Sequence, residues 1–74
     1  MFVKPNALDL LRQRRNELGL SGAEVSRRMG LKTTQHYWNI ENGKNRLTLE
    51  YAFLAADALN VSIDFFCDKV KEKI

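Results

Sequence analysis

The chain has 74 residues, 45% of them hydrophobic and 28% charged, with a formal net charge of +3. That balance suits one small folded domain with a single core and excludes a disordered chain. No apolar run approaches the length needed to cross a membrane, and residues 1–5 are too short and insufficiently apolar for a signal peptide, so a cytoplasmic protein is expected.

Cys67 is the only cysteine, which rules out an internal disulfide and fits a reducing compartment; a half-buried structural thiol is expected rather than a redox sensor. One His, one Cys, no metal-ligand cluster and no phosphate-binding glycine loop leave no catalytic constellation. Neither an enzyme nor a cofactor or metal is expected. The charge is unevenly placed. Between Arg12 and Arg46 there are eight basic residues against three acidic ones, and from Leu47 onward three lysines against five acids. A positive half and a mildly negative half fit a polyanion facing the first half, the alternative being a solvated basic surface with no partner.

Residues 1–5 read as a loose arm, with Pro5 excluding helix before it. Asn6 and Asp9 resemble a capping box that starts a first helix over about residues 7–18. Its inward stripe is Leu8, Leu11, Arg15 and Leu18, spaced as on one helix face, and its third member is an arginine. A buried guanidinium must snorkel outward or meet a carboxylate. Glu41 is the candidate partner, since it lies four residues after Tyr37, on or beside the inward side of a third helix.

Gly19 ends the first helix, and Ser21 with Glu24 forms a Ser-x-x-Glu capping box for a second over about residues 22–29. Val25 and Met29 share one face, Ser26 is small enough for a close helix crossing, and Gly30 can take a left-handed stop. Arg27 and Arg28 are candidates for phosphate contact or for solvated surface. Thr33 or Thr34 can cap the third helix, about residues 34–42, with Tyr37 and Ile40 inward and Gly43 as its stop. Thr34, Gln35, His36, Trp38 and Asn39 are left outward, a polar set without charge. Gln and Asn can each pair with adenine's adjacent donor and acceptor in a major groove. Trp38 either covers a sugar-phosphate backbone, packs on a partner, or folds back on the first or second helix, the last being preferred.

Lys44, Asn45 and Arg46 form a short basic loop. Thr48 caps a fourth helix whose expected buried face is Leu49, Ala52, Phe53, Ala56 and Leu59, with Leu54 exposed and Asn60 as a left-handed stop. Ser62 is expected to cap a short fifth helix with Ile63 and Phe66 inward. Leu54, Phe65, Val70 and Ile74 then make a candidate face for self-association. The tail from Asp68 extends that helix or frays.

Helix, glycine turn, helix is the outline of a DNA-reading motif. The run LGLSGAEVSRRMG, then IENGK, then LTLEYAFLAADALNVSIDFF, resembles the Xre/Cro type of helix-turn-helix domain found in phage repressors and many small bacterial regulators. The resemblance covers about residues 8–66. It implies an all-α, compact five-helix, lambda-repressor-like fold over residues 1–74, with a core at about 7–67, a short arm and a tail. It also implies Thr34, Gln35 and Asn39 as base readers and Lys44, Asn45 and Arg46 as phosphate contacts; His36 is a further candidate reader, the alternative being a bystander, and Arg27, Arg28 and Thr33 are further candidate phosphate contacts. An Arg15–Glu41 bridge would tie the first helix to the end of the reading helix. The sequence departs from the family at Gly22, where a phosphate-touching Gln is usual, and in a turn between Gly30 and Glu41 one residue longer than the commonest form.

The function so implied is sequence-specific binding of double-stranded DNA by a transcriptional regulator, a repressor acting as a homodimer on a near-palindromic operator. The rival from a different class is a protein-interaction module, an antitoxin or adaptor that keeps the fold but binds a protein partner.

Overall fold

The computed structural model describes residues 1–69. Four helices occupy most of them: α1 (Ala7–Glu17), α2 (Gly22–Met29), α3 (Thr34–Glu41) and α4 (Leu49–Ala58). A strand at each end, β1 (Phe2–Val3) and β2 (Cys67–Asp68), completes the order, with a single 3₁₀ turn at Ile63–Phe65 before β2.

Three of the four helices begin on a hydroxyl cap. Ser21 Oγ accepts the Glu24 N–H at 3.1 Å, Thr33 Oγ1 that of His36 at 3.1 Å, and Thr48 Oγ1 that of Tyr51 at 3.2 Å. Each satisfies a backbone donor that the helix start leaves without a partner. Thr33, not Thr34, is therefore the cap of α3. Asn6 makes no side-chain cap, because its backbone is at φ −99°, ψ 20° rather than extended. The box at Ser21 is one-sided, since the Glu24 carboxylate turns outward to Arg27 and Arg28 instead of back to the cap.

Gly30 stops α2 at φ 78°, a left-handed conformation that costs glycine little. The four-residue turn that follows is closed from inside, for Ser26 Oγ donates to the Thr33 carbonyl at 2.8 Å and the Leu31 N–H donates to the Ser26 carbonyl at 3.0 Å. Ser26 thus does more than permit a close crossing. It fixes where α3 starts relative to α2.

The core is one cluster containing Leu11 from α1, Val25 and Met29 from α2, Tyr37 and Ile40 from α3, and Leu47, Leu59 and Phe66 around α4. Against this cluster α4 presents alanines: Ala52, Ala55, Ala56 and Ala58 are buried, whereas Leu49 and Phe53 are 38% and 49% exposed. Ala52, Ala56 and Leu59 are inward as expected, but the face is rotated so that Ala55 and Ala58 are buried in place of Leu49 and Phe53. Small side chains let the α4 backbone approach its neighbours closely, and an inward Phe53 would hold them apart. On α1, Leu18 falls beyond the helix and is 37% exposed, and Leu8 is only partly buried.

The fifth helix is absent among the described residues. Its place is taken by the 3₁₀ turn and by β2, which pairs antiparallel with β1 in the register Phe2 with Asp68 and Val3 with Cys67. The Lys4 N–H also donates to the Phe66 carbonyl at 2.8 Å. These bonds take the backbone groups that a continuing helix would need, and they pin down the segment expected to be a loose arm. Cys67 is buried, and burial pushes its thiol above the ordinary value, so it stays protonated and packs as a small apolar group. Val70 and Ile74 lie outside the described residues, as does the tail beyond Lys69.

Candidate nucleic-acid interface

The candidate surface begins with how α3 is held. Tyr37 and Ile40 are fully buried, and Glu41 at the end of the helix is 3% exposed. Arg15 reaches it from α1 with two hydrogen bonds, Nε to Oε1 at 2.9 Å and Nη2 to Oε2 at 3.2 Å. The third branch of the guanidinium donates to the Leu20 carbonyl at 3.1 Å, just ahead of α2. Arg12 adds a second cation 3.6 Å from Oε2, and the Tyr37 hydroxyl donates to Oε1. Burial works against the charge on Glu41, but the hydrogen bonds from Arg15 and Tyr37 and the nearby guanidiniums outweigh it and hold the carboxyl below its ordinary value. Burial, followed by that carboxylate, drives the Tyr37 phenol far above its usual range, so it is a permanent donor. The α1 helix, the start of α2 and the end of α3 are joined through one guanidinium.

With that face inward, Gln35 and Asn39 stand side by side one turn apart, the Gln35 amide donating to Asn39 Oδ1 at 3.0 Å. Gln35 is exposed and Asn39 half-buried. Thr34 is half-buried beside them. His36 is turned sideways: its Nε2 lies 3.2 Å from the Tyr51 hydroxyl of α4, with the two rings edge to face at 5.4 Å. Thr33 is exposed, with its hydroxyl engaged as the cap.

Lys44, Asn45 and Arg46 are all exposed, and the Asn45 N–H donates to the Asn39 carbonyl at 2.9 Å. The basic loop is thereby folded onto the end of α3. It forms one wall of an open groove whose other wall includes Val3, Lys4 and Pro5. Lys4, which no spacing argument singles out, joins the basic rim because β1 anchors it there.

Arg27 and Arg28 lie apart from this set, on α2. Both are bound to the Glu24 carboxylate, whose pKa they lower, Arg27 foremost. Arg28 also donates to the Ala58 carbonyl at 3.2 Å, and Arg14 to the Leu59 carbonyl at 3.0 Å, so two guanidiniums cap the C-terminal end of α4. Trp38 is half-buried and folds back, its ring 5.0 Å from the Arg15 guanidinium carbon and against Gly22. Gly22 has no room for a side chain beneath that ring.

A family model described as Helix-turn-helix matches residues 11–66, which spans α2, its turn, α3 and the loop beyond. The chain belongs to the Xre/Cro-type helix-turn-helix family. That family is one of DNA-binding transcription regulators and is not a class of enzymes. No curated protein matched the chain. The helix-turn-helix of this Xre/Cro-type domain is the α2–α3 pair, and α3 is its second helix. No helix among the described residues is long and apolar enough to cross a membrane.

Proposed function

We propose that the protein is a sequence-specific regulator that lays α3 in the major groove of duplex DNA, with Gln35 and Asn39 as its principal base readers. Thr34 flanks them, and His36 joins them only by leaving Tyr51. Lys44, Asn45 and Arg46 grip the phosphates, setting register and affinity without reading sequence. Thr33 is a further backbone contact, and Arg27 and Arg28 contribute only when released from Glu24. The observation that carries this reading is the Gln35–Asn39 amide pair standing on α3 beside the basic loop, the two tied together by the Asn45 to Asn39 backbone bond. Two amides without charge suit adenine edges, and exposed cations on a loop tied beside them suit phosphate.

The protein acts as a homodimer on a near-palindromic operator, since a two-fold protein presents two reading helices to half-sites one turn of duplex apart. The exposed Leu49, Phe53 and Leu54 of α4 support self-association. Repression is the regulatory mode that asks least of such a protein, because occupancy alone can block a promoter. Selection of bound sites from random duplex DNA, with molar mass measured in solution, tests both claims. A palindromic consensus bound by a dimer is the expected result.

A second reading, a protein-interaction module of the antitoxin or adaptor kind, is favoured by the engagement of Arg27 and Arg28 with Glu24, which leaves α2 without free cations. Duplex binding that is absent, or that does not weaken with salt, would favour it.

A further inference from the structure

Among the four glycines, Gly19, Gly30 and Gly43 have positive φ and Gly22 does not. Nothing in the Gly22 backbone requires glycine, for its φ is not positive. What requires it is space. A Cβ placed on Gly22 would lie 2.4 Å from Trp38 Cζ2 and 2.5 Å from Cε2, far inside the roughly 3.5 Å at which two carbons rest in contact. The indole therefore lies on the bare backbone of the first residue of α2. Beside it sits the Arg15 guanidinium, 5.0 Å from the ring centroid and itself fixed by Glu41 and the Leu20 carbonyl. Trp38 thus occupies a slot with a backbone floor and a cationic wall. The floor belongs to α2, and the wall is a side chain of α1 that is tied to the end of α3 and to the Leu20 carbonyl.

We propose that Gly22 and Trp38 form a size-matched seat that sets the standoff and rotation of α3 on α2, making Trp38 a positioning residue for base reading by Gln35 and Asn39. The proposal rests on α3 being the element that reads DNA. Trp38 immediately precedes Asn39 and follows Gln35 by three residues, so a ring pushed off its floor turns both amides with it. The seat acts beside the other fixed points of α3, the Thr33 turn and Glu41 at its ends and the buried Tyr37 and the His36–Tyr51 contact between them, and it fixes the side of the helix that faces the start of α2.

The test is site selection from random duplex DNA with the wild type, Gly22→Ala, Trp38→Leu and the double variant, each shown to be folded by far-UV circular dichroism. Emission from the single tryptophan reports the ring's displacement in Gly22→Ala. Gly22→Ala is expected to change the preferred bases at the positions that Gln35 and Asn39 read and to weaken the wild-type site by about tenfold relative to nonspecific DNA, a loss of about 1.4 kcal/mol. The double variant removes the indole edge that the new methyl strikes, and its preference should lie nearer the wild type than that of Gly22→Ala. Should Gly22→Ala not fold, Trp38→Leu decides the matter, since an emptied slot must also alter the motif. A wild-type motif that survives unchanged in the folded variants overturns the seat alone. A wild type that selects no motif overturns the DNA-reading function, and the seat's role falls with it.

Discussion

The Tyr37 hydroxyl donates to Oε1 of Glu41 at 2.5 Å, one turn along α3, and that same oxygen takes the Nε–H of Arg15 from α1. A carboxylate with one oxygen shared between two donors is held in one place, and α3 is held with it. Taking one partner from a buried ion pair typically costs about 3–5 kcal/mol, chiefly through the charge left behind. Arg15→Met and Glu41→Gln should each lower stability substantially, and the double variant should lose much less than the sum of the two. Urea denaturation of all four proteins checks this, and simple additivity would mean that the pair is not coupled.

The same carboxylate makes stability depend on pH with a defined sign. The folded pKa of Glu41 lies below its ordinary value of 4.5, so its contribution is fully present above about that pH and is lost as the pH falls through the folded pKa. The stability difference between wild type and Glu41→Gln should be constant near neutrality and shrink on acidification below about pH 4.5. Denaturation midpoints measured down the acid limb provide the check. A difference that is flat over that limb would show that Glu41 is not held ionised by its partners.

Local signals made much of this fold legible in the sequence. The hydroxyl caps at Ser21 and Thr48 and the stop at Gly30 act within a few residues, so their residue types announce them, whereas Thr33 and Thr34 offer the same hydroxyl and Asn6 announces a cap that its backbone does not make. Arg15 stood out because a cation interrupts an apolar stripe. The β1–β2 ribbon was not legible, because two-residue strands carry no alternation and their partners lie at opposite ends of the chain. The rotation of α4 escaped for a different reason: Phe53 is more apolar than Ala55, but the close approach of backbones decides which of them is inside. Arg14 and Arg28 escaped as well, for they bind backbone carbonyls at Leu59 and Ala58, and no residue type marks a carbonyl as a partner.

Glu24 holds two guanidiniums that the positive half of the chain would otherwise offer to a polyanion. Glu24→Gln should therefore raise affinity for nonspecific duplex and steepen its salt dependence, by up to about one unit of slope for each arginine released. Titration of a random duplex at several salt concentrations measures both. An unchanged slope would place α2 away from the phosphates.

Lys44 and Arg46 carry a different expectation, because they are exposed and lie on a loop tied to the end of α3. Lys44→Ala and Arg46→Ala should weaken binding about equally on every sequence and reduce the salt slope by about one unit each. The selected motif should not change. A shifted motif would move these residues from the phosphates to the bases.

Gln35 and Asn39 should behave as a coupled pair rather than as two independent readers. The Gln35 amide N–H bonded to Asn39 Oδ1 fixes the orientation of the Asn39 amide, and leaves the second lone pair of that oxygen and the Asn39 amide N–H group for a base. Removing Gln35 therefore frees Asn39 to rotate as well as deleting a contact. Asn39→Ala leaves the longer Gln35 side chain without its support. Each substitution should relax preference at one or two operator positions and cost about 1–3 kcal/mol on the best site, with little effect on nonspecific binding. The double variant should lose less than the two single losses combined, because each single change already spoils the other amide's aim. Binding of the four proteins to the selected operator and to a scrambled duplex gives the cycle. Additive losses would mean that the amides read separately, and an unaltered motif in both single variants would remove this face of α3 from the recognition surface.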